Sequence, residues 1–155
     1  MGLPELVQIG WYKTEPTSPQ EIRSLFTIVE RSIGDLQVEA ISDDLRFQAA
    51  YNGILTLANI ALRASGYRVS MTQGHHQRTI ESLEYTLTTR TEDERARWVR
   101  KIKVHSQKRN VASYDLAGGV SPSDLAQIER DLHALQEQVF GWLAVSHPDL
   151  ISGSK

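Results

Sequence analysis

The densest cationic stretch of the chain is ERARWVRKIKVHSQKRNVASY, residues 94–114, with Arg95, Arg97, Arg100, Lys101, Lys103, Lys108 and Arg109. On a helix, Arg97, Lys101 and Lys108 fall on one face at steps of four and seven and can meet successive phosphates of a nucleic acid. The competing reading of the same charges is a solvated helix face. His105 precedes Arg109 by four residues, so both side chains can touch one phosphate unless His105 follows Trp98 and Ile102 into the core. His75 and His76 follow Gly74 at an expected helix start, where free backbone N–H groups favour an anion. Adjacent histidines point in different directions, so this pair alone does not make a two-ligand metal site. His133 and His147 have no partner at ligand spacing and are expected at the surface. Asp43 and Asp44 read as a helix N-terminus, and Glu81 with Glu84 lacks the histidine that would complete a Glu-x-x-His di-iron pair. Phe26, Phe47, Trp98, Phe140 and Trp142 lie at helical spacing and are assigned to the core. With no phosphate-cradling glycine loop, zincin motif or serine elbow, a kinase, a dehydrogenase or a classical hydrolase has no support, and neither a metal nor a cofactor is expected.

Helices must position these groups. Ser18 can cap a helix with Pro19 at its first position and Glu21 in the capping-box place, and Ile22, Leu25, Phe26, Val29 and Ile33 carry it to about Gly34. A second helix starts at Ser42-Asp43-Asp44 and runs to Gly66; alanines on several sides mark it as the central one. Residues 66–70 break the pattern. Gly74-His75-His76 then leads into Ile80, Leu83 and Leu87, a third helix of about four turns. Thr91 and Glu94 form a capping box for a fourth, with acids leading and bases following as the helix dipole prefers, reaching at least Arg109. Gly118-Gly119 stops it, and Ser121-Pro122-Ser123-Asp124 opens a fifth that ends before His147-Pro148. No segment alternates as a strand should. The expected fold is all-α, an antiparallel bundle of four to five helices over residues 18–146, with an arm at 1–17 and a tail at 147–155.

Composition bounds the function. The chain has 155 residues, 40% apolar and 23% charged, with a formal charge of -2, which suits one folded domain and argues against a protein whose whole surface grips nucleic acid while permitting a local basic face. Zero cysteines exclude disulfides, thiolate metal sites and a cysteine nucleophile. No apolar run approaches the roughly 18 residues of a membrane span, and residues 1–10 lack the basic start and apolar stretch of a secretory signal, so a cytoplasmic protein is expected.

The run Arg109-Asn110-Val111-Ala112-Ser113-Tyr114-Asp115, taken with Arg46 to Asn52, Leu57 to Tyr67 and Gly74-His75-His76, resembles a HEPN domain. This is the higher-eukaryote and prokaryote nucleotide-binding helical bundle, in a bacterial branch. Members place an arginine, a polar residue and then a histidine after four to six intervening residues. Arg109 and Asn110 match the first two positions, whereas Tyr114, Asp115 and Leu116 occupy the places open to the histidine. The resemblance spans residues 18–146. It implies an up-and-down bundle that binds RNA or a nucleotide, commonly as a homodimer, in toxin–antitoxin, phage-defence or stress systems, with an antitoxin or nucleotidyltransferase as partner. Where the histidine is present, it implies metal-independent RNA cleavage, with arginine stabilising the phosphate charge and histidine moving protons. Tyr114, with an ordinary pKa near 10, suits hydrogen-bond donation or base stacking better than general-base work. The expected site is therefore Arg109, Asn110, Tyr114 and His105, flanked by His75, His76, Arg97, Lys101 and Lys108. A non-catalytic module that docks a partner protein is the alternative reading of the same residues.

Overall fold

The computed structural model describes residues 2–70, 74–114 and 119–151, with the side chains of the middle stretch described as far as Asn110. The chain is mostly helical, and among the described residues no helix is long and apolar enough to cross a membrane.

Local signals set most helix starts. Helix α2, Pro19–Leu36, begins where the Ser18 hydroxyl accepts the Glu21 N–H at 3.1 Å. Glu21 does not close a capping box; its carboxylate turns to Arg63 and to the Thr17 hydroxyl. Ser42 caps α3, Asp43–Ala64, in the same way through the Leu45 N–H. Helix α6, Glu92–Tyr114, starts at Thr91, and α7, Pro122–Ser146, at a Ser121–Asp124 capping box. Satisfying the otherwise orphaned first-turn donors in this way contributes about 1 kcal/mol per cap.

Helix α3 is the axis of the core. Phe47, Ala50, Tyr51, Ile54, Leu57, Ala58, Ile60, Ala61 and Leu62 are all buried, so the helix is apolar on nearly every side. It runs antiparallel to α2, tied by Arg46 Nε donating to the Leu36 carbonyl at one end and by Arg63 with Glu21 at the other. Gly53 sits at the closest approach: a Cβ there would lie 2.9 Å from Leu132 Cδ1 on α7 and 3.2 Å from Ser32 Cβ on α2. Helices α6 and α7 are also antiparallel, joined by Trp98 to Gln138, His105 to Asp131 and Lys108 to Asp124. By contrast α3 and α6 run the same way, Phe47 meeting His105 and Tyr51 meeting Arg109 one turn on.

Three features differ from the sequence expectation. Residues 1–17 are folded rather than a bare arm: α1, Leu3–Gln8, leads to strand β1, Tyr12–Thr14, which pairs antiparallel with β2, Tyr67–Val69. The register is Tyr12 to Val69, Lys13 to Arg68 and Thr14 to Tyr67. Leu3, Leu6, Tyr12, Leu62 and Val69 form a second small core beneath the pair. Gly10 and Gly66, with φ of +87° and +93°, turn the chain into the two strands in a conformation that only glycine adopts cheaply. The third helix is two pieces, α4, His75–Glu81, and α5, Leu83–Thr86, divided at buried Ser82, whose hydroxyl donates to the Thr79 carbonyl at 2.6 Å. Ile80, Leu83 and Leu87 still reach the core across the break. Finally, the tail begins with a short 3-10 helix, Pro148–Leu150, and Leu150 and Ile151 pack against the main core.

Candidate anion-binding site

The last turns of α6 face the start of α4 and the middle of α3. Arg109 is partly exposed, and its guanidinium lies over the ring of buried Tyr51, 5.6 Å from the centroid. Arg63, Arg78, Lys101, Lys103 and Lys108 each have a carboxylate within ion-pair distance. Among the described residues Arg109 has none. Asp115, the acid six residues further along the chain, lies outside the described residues.

His76 sits within electrostatic reach of Arg109. Partial burial, and then the charge of Arg109 and the neighbouring His75, hold its imidazole below the ordinary histidine range. The two histidine rings meet edge to face at 6.2 Å, and both residues are exposed. Side chains that can all carry positive charge are thus gathered in one place and repel one another. An anion there would relieve that repulsion and favour the protonated imidazole. The charge comes from the side chains, because α4 has seven residues and its own dipole is correspondingly small. Asn110, next to Arg109, is exposed. Tyr114 ends α6, and its side chain lies outside the described residues.

The expected pairing of His105 with Arg109 on a single phosphate is corrected by burial. His105 is 6% exposed, packs edge-on against Phe47 at 5.9 Å, and holds the Asp131 carboxylate through Nε2 at 2.7 Å. Burial pushes the Asp131 carboxyl up, but the hydrogen bond and field of His105, with Lys101 and the Gln127 amide, bring it below the usual carboxylate range. This imidazole fastens α6 to α7.

The cationic stripe is likewise turned toward α7. Lys101 Nζ lies 3.7 Å from Asp131 and 5.2 Å from the Trp98 ring centroid, and Lys108 Nζ lies 3.5 Å from Asp124. Arg97 stays exposed, beside Glu94, Trp98, Lys101 and Gln138. Instead of an open ladder for phosphates, two of the three stripe cations have a carboxylate at ion-pair distance.

Sequence reasoning missed two of the contacts that shape this region, Asp131 beneath His105 and Tyr51 beneath Arg109; the only available hint was the helical spacing of Phe47 and Tyr51. It also missed Arg63, buried at the end of α3 and bonded to Glu21 and to the carbonyls of Glu15, Pro16 and Tyr67. Of the aromatic set assigned to the core, Phe140 is 52% exposed, on a groove of about 810 Å³ between α2 and α7. His147, expected at the surface, is partly buried edge-on against Trp142 at 4.9 Å. No group of three or more histidines and carboxylates that could hold a metal ion occurs among the described residues. Searches with the chain against protein-family models, curated proteins and solved structures return no match.

Proposed function

We propose that the protein is a HEPN-like, up-and-down helical bundle that binds RNA or a nucleotide through phosphates held by Arg109, His76 and His75. The observation that carries this reading is Arg109 itself, a cation with no carboxylate partner among the described residues, set beside two imidazoles. Charge-assisted bonds from a guanidinium fork are the strongest that a side chain offers a phosphate. Asn110, next to Arg109 in sequence, extends the site toward the phosphate or sugar, and Tyr114, at the end of α6, is assigned to a base. Arg97 and the outer cations of α6 add long-range attraction that weakens with salt.

In its stronger form the proposal is metal-independent cleavage. The ribose 2′-hydroxyl oxygen bonds to phosphorus while the bond to the 5′-oxygen breaks. His76 accepts the hydroxyl proton and returns one to the departing oxygen, and Arg109 stabilises the charge that grows on the phosphoryl oxygens. In the free protein the lowered His76 value favours a neutral imidazole near pH 7, the form in which the base must meet its substrate. In this account the protein works in the cytoplasm as a homodimer within a toxin–antitoxin, phage-defence or stress system, with an antitoxin or nucleotidyltransferase as partner.

The test is incubation with labelled structured and single-stranded RNAs in EDTA and low salt, beside an Arg109→Ala control of matched helicity and oligomeric state. Binding or cleavage that is lost in the control, with affinity falling steeply as salt rises, supports the proposal. RNA left unbound and intact by the wild-type protein at low salt rejects it. The second reading, a docking module for a partner protein, is favoured by the α2–α7 groove, where Phe26 and Phe140 meet edge-on at 6.1 Å and Phe140 is half exposed.

A further inference from the structure

We propose that Tyr51 is the positioning residue for Arg109, its buried ring holding the guanidinium at the phosphate site without neutralising it. The inference rests on the reading of Arg109 as the phosphate ligand. A long, partly exposed side chain can be fixed by a carboxylate or by a ring face. A carboxylate would compensate the charge and occupy the N–H fork, so an arriving phosphate would have to displace it. A ring face attracts the cation through its quadrupole and leaves the planar edge free for a bidentate anion.

Tyr51 is suited to that part. It is 1% exposed, set in the core of α3 among Phe47, Ala50 and Ile54. Its place beneath Arg109 is enforced one turn earlier, where Phe47 packs on His105 at 5.9 Å and Asp131 holds His105 from the other side at 2.7 Å. Because α3 and α6 run the same way, the step from Phe47 to Tyr51 matches the step from His105 to Arg109, and the second contact follows from the first. The same placement keeps Arg109 near His76, so His76 reports where Arg109 is.

The experiment follows the His76 ring protons by NMR as pH is varied, in the wild-type protein, Tyr51→Phe, Tyr51→Leu and Arg109→Ala, and measures affinity for a short phosphodiester RNA in each. Tyr51→Phe keeps the ring face and should leave the His76 midpoint and the affinity within twofold of wild type. Tyr51→Leu keeps an apolar side chain in the core but removes the ring face. It should raise the His76 midpoint toward that of Arg109→Ala and weaken RNA binding roughly tenfold, the scale of a partly desolvated cation–π contact. A folded Tyr51→Leu with an unmoved His76 midpoint overturns the proposal. A wild-type protein that binds no RNA, with the His76 midpoint still displaced by Tyr51→Leu, refutes the phosphate reading and upholds the positioning. Should Tyr51→Leu fail to fold, the wild-type spectrum decides. Arg109 methylene protons displaced upfield by the ring current uphold the contact, and undisplaced ones overturn it.

Discussion

Replacing Arg63 by methionine should destabilise the protein by about 3 kcal/mol, the lower end of the range for removing one partner of a buried ion pair. The side chain is 5% exposed and all five of its donor hydrogens are used. Nε and Nη2 grip Glu21 at 3.2 and 2.9 Å, Nη1 serves the Glu15 and Tyr67 carbonyls at 3.0 and 3.1 Å, and Nη2 also serves the Pro16 carbonyl at 2.8 Å. Methionine fills much of the space but leaves a carboxylate and three carbonyls without that donor. The lower end applies because the Glu21 side chain is 38% exposed and water can take over part of the carboxylate. For a chain of this size about 3 kcal/mol corresponds to a fall in Tm of roughly 6–12 °C. Arg63→Lys should lie between, since an ammonium restores charge but not the planar fork. Urea denaturation followed by circular dichroism reads the difference directly. A methionine variant within 1 kcal/mol of wild type would refute the view that this cluster joins the N-terminal segment to the helices.

Two further outcomes follow from the packing. Gly53→Val should cost roughly 1–3 kcal/mol in the same urea assay, because its methyl groups must displace Leu132 and Ser32 in a filled core; a change below about 0.5 kcal/mol would mean that α2, α3 and α7 are not closely packed there. The Asp131 carboxyl is lower in the folded state than its ordinary value near 3.9, so its contribution is present above that pH and is lost as pH falls through the folded value. Asp131→Asn should therefore lower stability at neutral pH and lose part of the acid sensitivity below about pH 4 that wild type shows; an acid limb of unchanged steepness would count against the His105–Asp131 pairing.

Helix starts were the most legible part of the sequence because each is a local event. Ser18, Ser42, Thr91 and Ser121 lie within three residues of the N–H they accept, and their helices begin where those residues say. The strands were not legible, because three residues each are too few for alternation to register and their pairing joins positions far apart in the chain. The break at Ser82 was hidden by a stripe of Ile80, Leu83 and Leu87 that reads as one helix and stays buried across two. At the candidate site, the spacing of Arg109 after His105 put both on one face of α6, but the direction of each was decided elsewhere. Asp131 draws His105 toward α7, Tyr51 lies under Arg109, and neither partner is near them in sequence.

The strand pair also has a consequence for the order of folding. Forming it from an open chain means closing the whole stretch from Tyr12 to Val69, and the entropy of closure grows with the length closed. Once α2 and α3 have zipped together, Glu21 and Arg63 are neighbours and only short segments remain to be brought in. The helical hairpin should therefore form first and β1 join afterwards with α1 behind it, an order that φ-values for substitutions in α2, α3 and β1 would check. On the ribosome, Tyr12 must wait for Val69 to emerge before the two strands can pair, so β1 should settle later than the helices that follow it.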